Sequence, residues 1–164
     1  MKPIFLVCLV AAAVLCGCAT PTGCGSAPQR LTFARPFDTV WAVVVDELTN
    51  SCDLAVSNPL MGEIRTERVT IGYGQDGAAR LHEFACEPSA ILEEWTQAEV
   101  MAFVRVLRAG DAKTTVELRC EFYSFESNVR DAWYRWPSKG NFERQFLIRV
   151  MDRLREPARI AAAE

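Results

Sequence analysis

The chain holds a single histidine, and no Cys-x-x-Cys pair is joined by a second pair or by histidines at metal-binding spacing. A zinc centre of ordinary layout is therefore excluded. An excess of basic charge is also missing: 18 Lys and Arg stand against 21 Asp and Glu, for a net charge of −3. Nucleic acid would demand a basic face, so it is not an expected partner. There is no internal repeat, and Gly72-Tyr73-Gly74-Gln75-Asp76-Gly77 matches no phosphate loop. What remains is ordinary for a globular protein: 164 residues, 50% hydrophobic and 24% charged, enough for one domain plus processing segments. Nine Phe, four Trp and three Tyr supply the material of a real core.

The N-terminus follows a different grammar. Lys2 precedes an uncharged apolar run from Ile4 to Leu15, after which small residues appear. This is the pattern of an export signal, and the run is too short to span a bilayer comfortably. Its last residues, Leu15-Cys16-Gly17-Cys18, resemble the lipobox of bacterial lipoproteins, with Cys16 where Ala or Ser is usual. The resemblance implies cleavage after Gly17, diacylglycerol on the Cys18 sulfur and an acyl chain on the freed amine. Ala19, rather than Asp, follows the lipidated cysteine, which in such lipoproteins of Gram-negative bacteria directs the protein to the outer membrane. Loss of residues 1–17 removes Lys2 and no other charge, so the net charge moves from −3 to −4. Residues 18–30 read as a lipidated flexible tether, rich in Pro, Gly, Ser and Thr, and the folded domain is expected over 31–156. Residues 157–164 read as a disordered tail.

Within the domain, Phe37, Val40, Trp41, Val44 and Leu48 mark one face of a helix from about Pro36 to Asn50. Five strands are expected next. The first surrounds Leu54 and Val56, and the second runs from Glu63 to Tyr73 with a bulge or break near Arg68. The third covers Arg80 to Cys86, after a loop at Gly72 to Ala79. Glu99 to Arg108 and Thr114 to Glu126 form a hairpin; Val116, Leu118, Cys120 and Phe122 point inward, and Glu117, Arg119 and Glu121 outward. Ser127 to Pro137 has no clear pattern. Ser138 caps a last helix to about Arg155, on which Phe142, Phe146, Val150 and Leu154 step by four. Two amphipathic helices and a sheet with one apolar face must pack helix against sheet, giving a two-layer α+β domain of order helix-β-β-β-β-β-helix.

Several pieces resemble BamC-like lipoproteins of Gram-negative bacteria: Phe37-Asp38-Thr39-Val40-Trp41, the strand–turn–strand Leu54 to Glu67, the long hairpin, and Ser138-Lys139-Gly140-Asn141-Phe142-Glu143. The similarity covers about Leu31 to Leu154. It implies a helix-grip-like sheet and an accessory or scaffolding role, and it brings no catalytic residue. Similar sequences often place a Cys before the Ser-x-Gly-x-x-Glu start of the last helix. Here Trp136-Pro137 stands there, which leaves Cys86 unpaired or differently paired.

No nucleophile, base and metal set is visible, so the sequence reads as non-enzymatic, with no cofactor beyond the acyl groups on Cys18. His82 is expected on a strand, without catalytic neighbours. The acidic pair Glu93-Glu94 reads as a solvated loop. Arg144, Arg149, Arg153, Arg155 and Arg159 suit a helix C-terminus or a membrane surface. Two Trp and a Tyr lie between arginines in Arg130 to Trp136, so Trp133, Tyr134 and Trp136 are candidate contacts to envelope proteins, with a lid over the core edge as the other reading. A different reading is a small apolar ligand in a cleft lined by Trp41, Phe103 and Phe146. Cys24, Cys52, Cys86 and Cys120 allow three complete pairings in an oxidising periplasm. A simple meander would keep Cys86 too far from Cys120 to bond, Cys52–Cys86 is open, and Cys120 reads as a buried thiol. The whole is expected to be lipid-anchored in the outer membrane, with its domain facing the periplasm.

Overall fold

A computed structural model describes residues 24–25, 27–88, 96–126 and 131–160, with side chains up to 155. The export segment, Cys18, the start of the tether and the Glu93-Glu94 pair lie outside these residues. The described chain is α+β: a seven-stranded antiparallel sheet with helices on one face. Its centre is the hairpin of β5 (Gln97–Arg108) and β6 (Thr114–Glu126), paired without a break from Gln97↔Phe125 to Arg108↔Thr114. β2 (Leu54–Asn58) pairs with β3 (Glu63–Thr66), and β3 pairs with one end of β5. β4 (Val69–Tyr73) pairs with the other end. The break expected near Arg68 is therefore the gap between two strands sharing one edge of β5. β1 (Gln29–Phe33) and β7 (Ala132–Pro137) share the far edge of β6 in the same way.

α1 (Phe37–Thr49) and α3 (Asn141–Ile160) cover the apolar face. Alternation on β5 and β6 puts Val100, Ala102, Val104 and Val106 in one layer with Val116, Leu118, Cys120 and Phe122, all buried. Phe37, Val40, Val44 and Leu48 of α1, and Phe146, Leu147, Val150 and Leu154 of α3, pack against that layer. Arg149 and Arg153 bridge from α3 to Glu47, and Arg153 also reaches Asp46, so these two arginines clamp the helices together.

Five expectations change. Residues Gly74–Phe84 form a helix, α2, and not a loop followed by a strand, so His82 is helical. Gly72 and Gly77 are packing residues: a Cβ on Gly77 would lie 2.8 Å from the Gly72 carbonyl oxygen, and only glycine lets α2 lie this close to β4. The patternless stretch before α3 contains β7, whose alternation is hidden because both of its faces carry aromatic residues. The body also begins before Leu31, with β1 starting at Gln29 and Cys24 bonded to Cys86 (Cα–Cα 5.6 Å). At the other end α3 passes Pro157 and reaches Ile160, where Ala158 and Arg159 are strong helix formers.

Ser138 does not cap α3 directly. Its Oγ accepts from Gly140 N–H (2.9 Å) and donates to Glu143 Oε2 (2.9 Å). Glu143, 2% exposed, takes Cys120 N–H on its other oxygen (2.9 Å). That N–H lies in the gap between β1 and β7, where no strand can bind it. Directly across the hairpin, Ala102 N–H lies in the gap between β3 and β4 and donates to Thr66 Oγ1 (3.0 Å). Both sheet edges break at the same cross-strand pair, and a side chain closes each break. These two buried N–H groups are thereby satisfied.

Candidate functional site

With the helices on one side, the other face of the sheet is left uncovered, and the alternation that builds the core decides what it carries. From β5 it receives Glu99, Met101, Phe103 and Arg105, and from β6 Glu117, Arg119, Glu121, Tyr123 and Phe125. β3 contributes Glu63 and Arg65, and β7 contributes Trp133 and Arg135. This face has two regions.

The first is aromatic. Trp133 packs on Phe125, ring centroids 5.1 Å apart. The Arg68 guanidinium stacks 4.1 Å from the Tyr123 ring and 5.3 Å from the Trp133 ring. A cation held over two ring faces is attracted by their quadrupoles. The Tyr123 hydroxyl donates to Glu121 Oε2 (2.6 Å), and Glu121 Oε1 meets Arg135 (2.7 Å) and Arg119 (3.4 Å). Burial, then the bond to Glu121, pushes the Tyr123 phenol above its ordinary value, while Arg68 and Arg135 oppose the shift. Tyr123 is thus held as a neutral donor at physiological pH.

The second region is a groove of about 840 Å³. Cross-strand pairing lines up Arg65, Phe103 and Arg119 across its floor, with Arg105 beside them between Glu63 and Glu117. Arg119 lies over the Phe103 ring at 4.8 Å. Gly25 and Pro28 form one wall, and Arg135 and Pro137 stand close by. Glu117 is engaged by Arg30 (2.5 Å) and Glu121 by two arginines, whereas Arg65 and Arg105 have no ion pair among the described residues.

The three proposed contact residues separate. Trp133 is 39% exposed on the open face, and Tyr134 lies on the helix side, half-buried beside Ser124. Trp136 is fully buried, its indole N–H bonded to Ser124 Oγ (2.9 Å), so it belongs to the core and offers no contact surface. The lid reading was nearer for this residue. The apolar cleft does not assemble either. Trp41 and Phe146 pack with the core layer, Trp41 stacking on Phe37 (5.7 Å), whereas Phe103 lies on the opposite face of the sheet among arginines. Val104, next to Phe103 on β5, has the inward parity. Cys52 and Cys120 remain as thiols.

Sequence reasoning missed Arg65, Arg68 and Arg105, and named Arg135 only as part of the Arg130 to Trp136 segment. The signal was present in part: Arg119 falls on the outward parity, and the same alternation extended along β3 and β5 reaches Arg65 and Arg105. Among the described residues, no three His, Cys, Asp or Glu side chains converge as metal ligands, and no helix is long and apolar enough to cross a membrane. In comparisons with known proteins, no family model and no curated sequence matches the chain.

Proposed function

We propose that the chain is a non-enzymatic, BamC-like lipoprotein of the cell envelope, anchored by acyl groups on Cys18 in the outer membrane. Its domain faces the periplasm and serves as an accessory or scaffold by contacting other envelope proteins. The observation that carries the contact is the exposed cluster of Trp133, Phe125, Tyr123 and Arg68 on the uncovered sheet face. Trp, Tyr and Arg dominate the energetics of protein interfaces, because rigid rings and planar cations bind without ordering many rotors. The Cys24–Cys86 disulfide fits an oxidising compartment. The anchor itself rests on the Leu15 to Cys18 motif.

Two variants test the reading. Cys18→Ser should move the protein from the membrane fraction to the soluble periplasmic fraction. Arg68→Ala with Trp133→Ala, in the acylated protein, should remove the envelope proteins that co-purify with it, leaving the fold intact. Co-purification unchanged by the double substitution would rule out this face as the contact surface.

A further inference from the structure

The arginine groove and the route to the proposed anchor are the same piece of the molecule. Gly25 and Pro28, which wall the groove, belong to the segment pinned by the Cys24–Cys86 bond. Cys86 N–H donates to Pro137 O (2.8 Å), and Pro137 also lines the groove, so the pin is fastened to the groove's own rim. Between Cys18 and Cys24 the chain can extend at most about 20 Å. A tether that would otherwise reach to the start of β1 at Gln29 is cut to this length. An anchor at Cys18 thus keeps the groove within reach of lipid headgroups. The aromatic cluster around Trp133 and Phe125 lies six residues further along β6 from Arg119, about 20 Å away.

The groove's charge is opposite in sign to that of the protein. Arg65, Arg105, Arg119 and Arg135 line it, against Glu63 and Glu117, in a chain of net charge −3. Glu117 is committed to Arg30, and Arg65 and Arg105, the latter cross-strand from Glu63 and Glu117, form no ion pair among the described residues. Guanidinium groups present paired N–H donors that match phosphate oxygens, and Arg does this better than Lys.

We propose that this groove binds the phosphate of an anionic glycerophospholipid headgroup. Arg65 and Arg105 supply the contacts, and the Phe103 ring, with Arg119 stacked over it, lies on the floor beside them. The placement near the bilayer rests on the proposed anchor at Cys18; the binding chemistry does not.

The test uses the complete mature chain with Cys18→Ser, oxidised at Cys24–Cys86, so that no acyl chain contributes. Sedimentation is measured with vesicles of phosphatidylcholine alone and of phosphatidylcholine mixed with phosphatidylglycerol, and glycerol 1-phosphate serves as the soluble probe. The expected result is binding that requires phosphatidylglycerol and weakens about tenfold or more in Arg65→Gln/Arg105→Gln. The equal-charge control Arg80→Gln/Arg144→Gln, on exposed helical positions, should bind like the parent. Equal binding to both vesicle types, or an unchanged Arg65→Gln/Arg105→Gln variant, would overturn the proposal. Tight, Arg65- and Arg105-dependent binding of glycerol 1-phosphate without vesicle binding would also overturn it, by showing that the groove takes a free phosphate compound. Because the assay contains no acyl group, its failure is separate from failure of the anchor, which the mass of the native N-terminus decides.

Discussion

Glu143 shows how one buried side chain can hold a sheet and a helix in register. Its carboxylate binds Cys120 N–H in the gap between β1 and β7 and Ser138 Oγ just ahead of α3. Glu143→Ala would leave a buried N–H and a buried hydroxyl without this acceptor, and should cost about 2–4 kcal/mol in urea denaturation. Glu143→Gln keeps an acceptor oxygen and should cost less than half as much. The Ser-x-Gly-x-x-Glu motif is thereby explained by hydrogen bonding. Trp136 and Trp133 make a second contrast three residues apart. Trp136→Ala should lose about 3–5 kcal/mol, and Trp133→Ala less than about 1 kcal/mol. The Cys120 thiol adds a pH dependence. Burial first, then the neighbouring Glu143 and Cys52, hold its pKa well above the ordinary thiol range. The folded state therefore binds this proton more tightly than the unfolded state. That contribution to stability is complete below the unfolded thiol value of about 8.5 and is lost as pH rises through the folded value. Urea midpoints should be level to about pH 8 and fall above it, and Cys120→Ala should flatten the onset of the fall.

At the scale of elements, legibility followed burial on one face only. The β5–β6 hairpin and α1 could be read directly, because strict alternation or a single apolar stripe records their environment. The same parity marked Cys120 as inward. α2 was misread because its start is rich in glycines that the sequence cannot distinguish from loop glycines; the close approach of Gly77 to Gly72 of β4 requires two of them, and Gly74 takes a positive φ of +51°. β7 was missed because Trp133 and Trp136 sit on opposite faces of the strand, so aromatic content carries no period. The candidate face was legible only as an outward polar parity on β6. That Arg65, Phe103 and Arg119 line up across three strands depends on register, which the sequence does not state. A turn residue supports that register. Gly62 has φ +66°, and a Cβ there would lie 2.1 Å from Val106 O. Gly62→Ala should therefore cost about 2 kcal/mol or more and loosen β2 and β3, seen as faster amide exchange in Ile64 and Arg65.

Taken whole, the described residues form a sheet with helices on one face, aromatic and arginine regions on the other, and Cys24 bolted beside the arginines. The disulfide closes a separation of 62 residues. Its removal in Cys24→Ser should lower stability by about 2–4 kcal/mol, measured against the oxidised parent, with the circular dichroism of the fold retained. The same removal should release the groove wall formed by Gly25 and Pro28 and weaken the proposed vesicle binding. The proposed role takes its meaning from the proposed attachment of Cys18 to a bilayer. The decisive measurement is the intact mass and N-terminal peptide map of the native protein purified from its own membranes. The account predicts a chain of residues 18–164 that starts at Cys18 and carries diacylglycerol on sulfur and an acyl group on the amine. An unmodified terminus, or one beginning at any other residue, would contradict it.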